Sequence, residues 1–165
     1  MALALLMASS VALALNRIQC PNDLVSGACF GDTDPSDLND VMSGTAVGEQ
    51  MSGSFGNDKL NGYGGDDLLF GGEGNDTSNG GDGADTLNDS LGTNTLNGGA
   101  GEDTIFADDG NETSKVSGGS GTDVVYARDF VKDTINCGAG TDYVVVDPDG
   151  LDVVRGCEWI NNVEQ

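Results

Sequence analysis

A nine-residue pattern repeats in phase between Gly53 and Phe106, and it constrains the fold more than any other feature of this chain. The pattern reads G-[GSY]-x-G-x-D-x-[LI]-x, and two of its six copies depart visibly from it. A fixed period this short is typical of a solenoid, because each unit can bury its apolar face only by stacking on its neighbours. The copies are GSFGNDKLN, GYGGDDLLF, GGEGNDTSN, GGDGADTLN, DSLGTNTLN and GGAGEDTIF.

Composition indicates a thin core and a cationic partner. The chain has 165 residues, of which 27 are glycine and only 5% are aromatic, so one domain without a thick globular core is expected. The net charge is −22, from 28 acidic and 6 basic residues with no histidine. A field of this sign repels nucleic acid and anionic membrane surfaces, and it opposes a compact state unless cations are bound. Polyvalent cations are therefore the predicted partners.

Each position of the repeat has its own physical role. Glycines at positions 1, 2 and 4 permit positive φ and close backbone approach, so a tight turn can direct several carbonyl oxygens to one point. The aspartate at position 6 adds a carboxylate there, and such hard oxygen ligands at about 2.3–2.6 Å suit Ca²⁺ better than the stricter octahedron of Mg²⁺. Positions 7 to 9 form a short strand whose central residue points inward, since neighbouring side chains in a strand face opposite ways.

These copies follow the consensus G-G-x-G-x-D-x-U-x, in which U is a large apolar residue, and the chain thus resembles the RTX (repeats-in-toxin, hemolysin-type) calcium-binding nonapeptide family. The resemblance covers roughly residues 35–155. It implies an all-β fold, a right-handed parallel β-roll or β-helix solenoid of about six coils, with two nonapeptides in each coil. It also implies that several Ca²⁺ ions lie between turns stacked on the same side.

The repeat register extends in both directions from the clear copies, provided that two extra residues are allowed at Ala107 and Asp108 and one each at Ala127 and Val146. The predicted inward residues at position 8 are Met42, Met51, Leu60, Leu69, Ser78, Leu87, Leu96, Ile105, Val116, Val125, Ile135, Val144 and Val154. All but Ser78 are apolar, which a disordered acidic tail would not produce. Disorder nevertheless remains the expected state without Ca²⁺, because metal binding then supplies the folding free energy.

In a two-nonapeptide coil the position-6 residues fall into two rows. The unbroken row contains Glu49, Asp67, Asp85, Asp103, Asp123 and Asp142. The interrupted row contains Asp40, Asp58, Asp76, Asn94, Ser114, Asp133 and Asp152. Neutral Asn94 and Ser114 predict weak or empty sites near them. The resemblance assigns the metal sites to Gly56, Asp58, Gly65, Asp67, Gly74, Asp76, Gly83, Asp85, Gly101, Asp103, Gly121, Asp123, Asp133, Gly140, Asp142 and Asp152.

Four cysteines in an apparently exported chain suggest two disulfides, for which three pairings exist. In a roll of the implied kind, Cys137 and Cys157 lie at positions 1 and 2 of repeats one coil apart, within the Cα spacing of a disulfide. Cys137 is thus expected to pair with Cys157, and Cys20 with Cys29 in a small loop. A thiolate metal site is disfavoured, since neither a CxxC motif nor a histidine accompanies these cysteines.

The two ends differ from the repeats. Residues 1–15 are apolar but short for a membrane span, and Ala12-Leu13-Ala14 offers a cleavage site, so a secretory signal peptide is expected. The segment lacks a basic start, and a shortened gene start or a retained anchor is the alternative. Residues 16–34 are expected to form an N-terminal cap and residues 156–165 a C-terminal cap around Trp159. Acidic residues outside the register are expected to be solvated surface charges, namely Asp23, Asp32, Asp34, Glu158 and Glu164.

Catalysis finds little support in the sequence. The chain has no histidine, no GxSxG elbow and no nucleophile with an adjacent base, so it is predicted not to be an enzyme. The leading hypothesis is a secreted or cell-surface Ca²⁺-binding protein with a structural role, without membrane insertion after processing. Head-to-tail self-association into a filament or matrix is a further expectation. The alternatives are an adhesin-like module that recognises carbohydrate or protein, and a non-catalytic part of a secreted toxin or enzyme system.

Overall fold

The computed structural model describes residues 17–19, 28–30, 39–89, 91–107, 112–148 and 150–161. Short β-strands make up the regular structure, and no helix occurs within those ranges. The strands are β1 (Arg17–Gln19), β2 (Ala28–Phe30), β3 (Val41–Ser43), β4 (Gln50–Phe55), β5 (Lys59–Gly64), β6 (Leu68–Glu73), β7 (Thr77–Asp82), β8 (Thr86–Asn88), β9 (Thr95–Ala100), β10 (Thr104–Phe106), β11 (Lys115–Gly121), β12 (Val124–Ala127), β13 (Thr134–Gly140), β14 (Tyr143–Val146), β15 (Val153–Arg155) and β16 (Trp159–Asn161).

The strands alternate between two parallel sheets. Sheet 1 contains the odd-numbered strands and sheet 2 the even-numbered ones, eight in each, in sequence order. Met42 pairs with Leu60 in sheet 1, and Met51 pairs with Leu69 in sheet 2, so one coil of eighteen residues adds one strand to each sheet. The predicted all-β parallel roll is thereby confirmed.

The core is a single ladder of side chains between the two sheets. Along β5 and β9 buried and less buried residues alternate, because neighbouring side chains point to opposite faces. The inward position is the predicted position 8, where Leu60, Leu96 and Ile105 are almost completely buried. Burying such a side chain contributes on the order of 1.5–3 kcal/mol. Ser78 is the polar exception and is equally buried.

The irregular coils keep this register despite their extra residues. Ile105 pairs with Val125, twenty residues along the chain, whereas Val125 pairs with Val144, nineteen residues along. These are the phase shifts that the sequence predicted. The inserted residues include Ala127 and Val146, and both side chains are buried in the core.

Close coil stacking explains the glycine at position 4. Gly74 and Gly83 have φ values of 137° and 144°, a region that residues with a side chain rarely adopt. A methyl group on either residue would also collide with the carbonyl oxygen of the position-4 glycine one coil earlier. A side chain at this position would therefore force neighbouring turns apart.

The segment after residue 155 adds a strand to the roll. β16 pairs with β14, and Trp159 lies opposite Tyr143 on the outer face of sheet 2. The side chains of Trp159 and Ile160 are 62% and 53% exposed, so Trp159 does not cover the core as a lid. At the other end, β1 and β2 add strands within the segment expected to be a cap. The expected signal peptide and the Cys20–Cys29 pairing lie outside the described residues.

A disulfide joins Cys137 to Cys157, with the two Cα atoms 5.2 Å apart. This is the predicted pairing of the two cysteines. Cys137 is fully buried in the core, and Cys157 packs against the core from the last coil. The bond therefore links β13 to the turn before β16.

We expect the double variant Cys137→Ser/Cys157→Ser to lose stability, because the bond closes a loop between residues 20 apart in sequence. Loop-closure entropy for this length is worth about 3 kcal/mol. Denaturant unfolding at saturating Ca²⁺ measures the change, with the exposed Ser120→Ala as the control. A double variant as stable as the parent would show that the last coils are held by packing alone.

Among the described residues, no helix is long and apolar enough to cross a membrane.

Candidate metal centre

The position-6 side chains join successive coils. The backbone N–H of Asp67 donates to Asp85 Oδ1 of the next coil at 2.8 Å, and that of Asp58 donates to Asp76 Oδ1 at 2.7 Å. In the unbroken row this ladder runs through Glu49, Asp67, Asp85, Asp103, Asp123 and Asp142. One carboxylate oxygen of each aspartate in this row is thus used to hold the coils in register, whereas the Glu49 carboxylate accepts hydrogen bonds from Thr45 in its own turn.

In eight rungs the second carboxylate oxygen is buried and has no hydrogen-bond partner. This holds for Oδ2 of Asp58, Asp67, Asp76, Asp85, Asp103, Asp123, Asp133 and Asp142. Each of these residues is at most 3% exposed. A buried ionised carboxylate without a partner is costly, and the cost is removed when a cation or a proton binds.

A backbone oxygen faces the same space as each of these Oδ2 atoms. A methyl group on Gly53 would collide with Asp58 Oδ2 and would lie 2.5 Å from the carbonyl oxygen of Gly71, one coil on. The same arrangement recurs at Gly62 with Asp67 and Gly80, at Gly80 with Asp85 and Gly98, at Gly98 with Asp103 and Gly118, and at Gly118 with Asp123 and Cys137. Position 1 is therefore glycine where a carboxylate and a carbonyl from two coils converge.

These pockets fit Ca²⁺ by the chemistry of their donors. Each supplies a carboxylate oxygen and a carbonyl oxygen from adjacent turns, and Ca²⁺ accepts both kinds in a flexible shell. No three acidic or cysteine side chains converge as a metal-binding group in the part of the chain that the structure describes. Backbone oxygens would therefore have to complete the coordination shell.

The sequence prediction named the position-4 glycines, whereas the carbonyl oxygens that face Oδ2 belong to position 1. The named aspartates and glycines remain predicted ligands. The position-4 glycines are placed in the same turns, with positive φ at Gly56, Gly65, Gly74, Gly83, Gly101, Gly121 and Gly140. The recurrence of glycine at position 1 of the sequence repeat could have predicted that the carbonyl oxygens of this position face the aspartate side chains.

Burial raises the pKa of several of these carboxyl groups. It raises the pKa of Asp58 and Asp103 from 3.8 to about 6, and that of Asp67 and Asp133 to about 7. The backbone N–H of the preceding coil opposes the rise, and neighbouring carboxylates add to it. Without a metal, these carboxyl groups are therefore protonated at a higher pH in the folded roll than in the unfolded chain.

The metal-free roll is expected to gain stability in acid. A folded-state pKa above the unfolded value of 3.8 means that stability is full below 3.8 and is lost as pH rises through about 6 to 7. Each added pKa unit corresponds to about 1.4 kcal/mol per group. Circular dichroism in a chelator should show more β-structure at pH 5 than at pH 8. Equal spectra at both values would contradict the buried, metal-free carboxylates.

The interrupted row keeps its ladder where an amide replaces a carboxylate. The backbone N–H of Asp76 donates to Asn94 Oδ1 at 2.9 Å, so Asn94 still holds the coils together. Beyond the interruption, the N–H of Ser114 donates to Asp133 Oδ1 at 2.7 Å. Asn94 and Ser114 lack the second carboxylate oxygen, and the expected weak sites near them remain a prediction.

Three acidic residues that the sequence did not assign to a site lie beside the rows. Glu158 is exposed, as expected, yet its Oε2 accepts the backbone N–H of Asp142 at 2.8 Å and extends the unbroken row. Asp129 and Asp147 raise the pKa of Asp133, together with Asp152. The turns that contain Asp129 and Asp147 lack the glycine pattern of the repeat. The step from Asp142 to Glu158 is two residues shorter than a coil of eighteen. The repeat register therefore did not predict these three residues.

Comparison with known proteins agrees with this geometry. Residues 43–78 and residues 79–113 each match the family model of the RTX calcium-binding nonapeptide repeat (4 copies). Searches of the curated proteins and of the solved structures return no match. The matched span contains Asp58, Asp67, Asp76, Asp85 and Asp103, whose buried Oδ2 atoms were described above.

Proposed function

Residues 43–113 of this chain are RTX calcium-binding nonapeptide repeats, and from this premise we propose that the roll is an extracellular structural element that folds when Ca²⁺ binds. The repeats make it a Ca²⁺-binding β-roll. We further propose that Ca²⁺ binding is coupled to folding, that the protein is extracellular and that its role is structural.

The stacked, buried Oδ2 atoms carry the proposal. They form rows in which successive carboxylates lie one coil apart, within a chain of net charge −22. Without cations, this arrangement combines the cost of burial with repulsion between like charges. Ca²⁺ between the turns removes both costs, so its binding free energy becomes folding free energy.

Direct measurement of Ca²⁺ binding at pH 7.5 tests the proposal. Isothermal titration should show several ions bound per chain, with circular dichroism reporting a gain of β-structure over the same concentration range. Mg²⁺ is the matched control, because it dehydrates reluctantly and demands a stricter octahedron. A chain that binds no Ca²⁺ up to millimolar concentration, or binds it without a structural change, would overturn the proposal.

The Cys137–Cys157 disulfide supports an extracellular role, since such bonds persist in oxidising compartments.

The proposed role is not catalytic. RTX repeats are generally calcium-binding elements, and the chain contains no histidine for acid–base chemistry.

Exposed strand edges support end-to-end assembly of the roll. Sheet 1 ends on β15 and sheet 2 on β16, and the exposed Leu151 and Ile160 lie in that last coil. An end that meets the opposite end of another copy makes a non-closing contact and propagates. Electron microscopy with and without Ca²⁺ separates filaments from monomers, and monomers under both conditions would exclude assembly.

A recognition module is a second candidate, favoured by the aromatic outer face of sheet 2. Phe106 and Tyr126 stack with ring centroids 5.0 Å apart, and Tyr143 and Trp159 are exposed on the same sheet. Aromatic rings are common anchors at binding surfaces because they bury a large area. A glycan array with the Ca²⁺-loaded protein tests this candidate. Binding that Trp159→Ala abolishes would support it, and no binding would favour the structural role.

A further inference from the structure

Asp89 departs from the repeat in a way that the two rows do not explain. It occupies position 1 of DSLGTNTLN, where the other five clear copies have glycine, and the same copy has Asn94 instead of aspartate at position 6. A degenerate surface turn would leave such a side chain in water. Asp89 is instead only 2% exposed.

The Asp89 carboxylate lies in the pocket of the preceding coil. At Gly53, an added methyl group would meet Asp58 Oδ2 and the carbonyl oxygen of Gly71. At Gly71, one coil later, the three nearest atoms would be the two carboxylate oxygens and Cγ of Asp89. The Asp89 carboxylate thus lies where the other pockets have a position-6 carboxylate oxygen and a backbone oxygen.

Asp76 is position 6 of the repeat that begins at Gly71, and its side chain contacts that of Asp89. It is 2% exposed, and its Oδ2 has no hydrogen-bond partner. Its Oδ1 is occupied by the backbone N–H of Asp58 at 2.7 Å. One buried oxygen of Asp76 and the buried carboxylate of Asp89 thus lie close enough to bind one cation together.

We propose that Asp76 and Asp89 form a two-carboxylate Ca²⁺ site, the tightest site of the interrupted row. Two carboxylates balance the charge of one Ca²⁺, and the affinity of calcium sites is tuned by the number of charged ligands. The repeat that lacks a carboxylate at Asn94 thus supplies one to the adjacent pocket instead. This inference rests on the Ca²⁺-binding function proposed above and concerns the distribution of affinity along the row.

The variants Asp89→Asn and Asp89→Gly test whether Asp89 is a Ca²⁺ ligand. For Asp89→Gly, a ligand role and a merely degenerate repeat position predict opposite changes in Ca²⁺ affinity. Asp89→Asn keeps the side-chain volume and removes the charge, whereas Asp89→Gly restores the glycine of the repeat. If Asp89 is a ligand, both variants should weaken one class of Ca²⁺ sites by about tenfold or more and leave the sites of the unbroken row unchanged. If Asp89 is merely a degenerate glycine, Asp89→Gly should bind Ca²⁺ as tightly as the parent or more tightly.

The readout is a competition titration with a chromophoric Ca²⁺ chelator, with circular dichroism at saturating Ca²⁺ to confirm folding. Glu73→Gln is the matched control, because Glu73 is an exposed carboxylate in the same turn as Asp76. It should leave the affinities unchanged. Unaltered affinities in both Asp89 variants would overturn the inference while leaving the proposed function intact. A parent protein that binds no Ca²⁺ would overturn the proposed function itself.

Discussion

Removal of Ca²⁺ at pH 7.5 is expected to convert the roll into a largely unfolded chain. Chelation would leave eight buried Oδ2 atoms without a partner, in residues that are at most 3% exposed. Even after relaxation, each buried unpaired charge costs several kcal/mol, and typical domains have only about 5–15 kcal/mol of stability. The thin ladder of position-8 side chains cannot offset that cost.

Far-ultraviolet circular dichroism during titration with a chelator, followed by addition of excess Ca²⁺, measures this transition. The β-signal should disappear on chelation and return on addition of Ca²⁺. Excess Mg²⁺ should not restore it at the same concentration. A roll that keeps its β-signal in the chelator would show that packing and the hydrogen-bond ladder suffice for folding.

The second large effect is expected from Asp85→Ala in the unbroken row. The substitution removes one buried Ca²⁺ ligand and also leaves the backbone N–H of Asp67 without its acceptor. An unsatisfied buried N–H alone costs about 1–3 kcal/mol. The Ca²⁺ concentration at half-folding should therefore rise by about tenfold or more, as measured by circular dichroism.

Two variants separate the causes of this effect. Asp85→Asn retains an oxygen for the N–H of Asp67, as Asn94 does for Asp76, so its remaining deficit reports the loss of the ligand charge. Asp133→Ala removes the equivalent carboxylate next to the interruption at Ser114, and a smaller shift is expected there. An equal shift for Asp85→Ala and Asp133→Ala would contradict the dominance of the unbroken row.

The sequence predicted most of the fold because one period governs both turns and core. Leu60, Leu96 and Val144 are inward as predicted, and the extra residues near Ala127 and Val146 lie where the register required them. The prediction succeeded because an inward apolar residue and a turn aspartate recur at fixed spacing, so each repeat constrains the next. The Cys137–Cys157 pairing followed from that register.

The parts that were not predicted lie where the period fails. Glu158 joins the unbroken row after a shortened coil, and the turns with Asp129 and Asp147 contain no GGxG sequence. The buried position of Asp89 was also hidden, because a position-1 side chain can turn either to solvent or into the pocket. The orientation of such a side chain depends on contacts with the neighbouring coil, which the sequence pattern of one repeat does not determine.

The hydrogen-bond ladder gives the solenoid a chemical polarity. In each row, the donor is a backbone N–H and the acceptor is a side chain of the following coil, from Glu49 N–H to Asp67 Oδ1 and onward to Glu158. A coil therefore needs its C-terminal neighbour to satisfy the buried N–H group of its position-6 residue. When Ca²⁺ binds, each coil is therefore completed only once its C-terminal neighbour has formed.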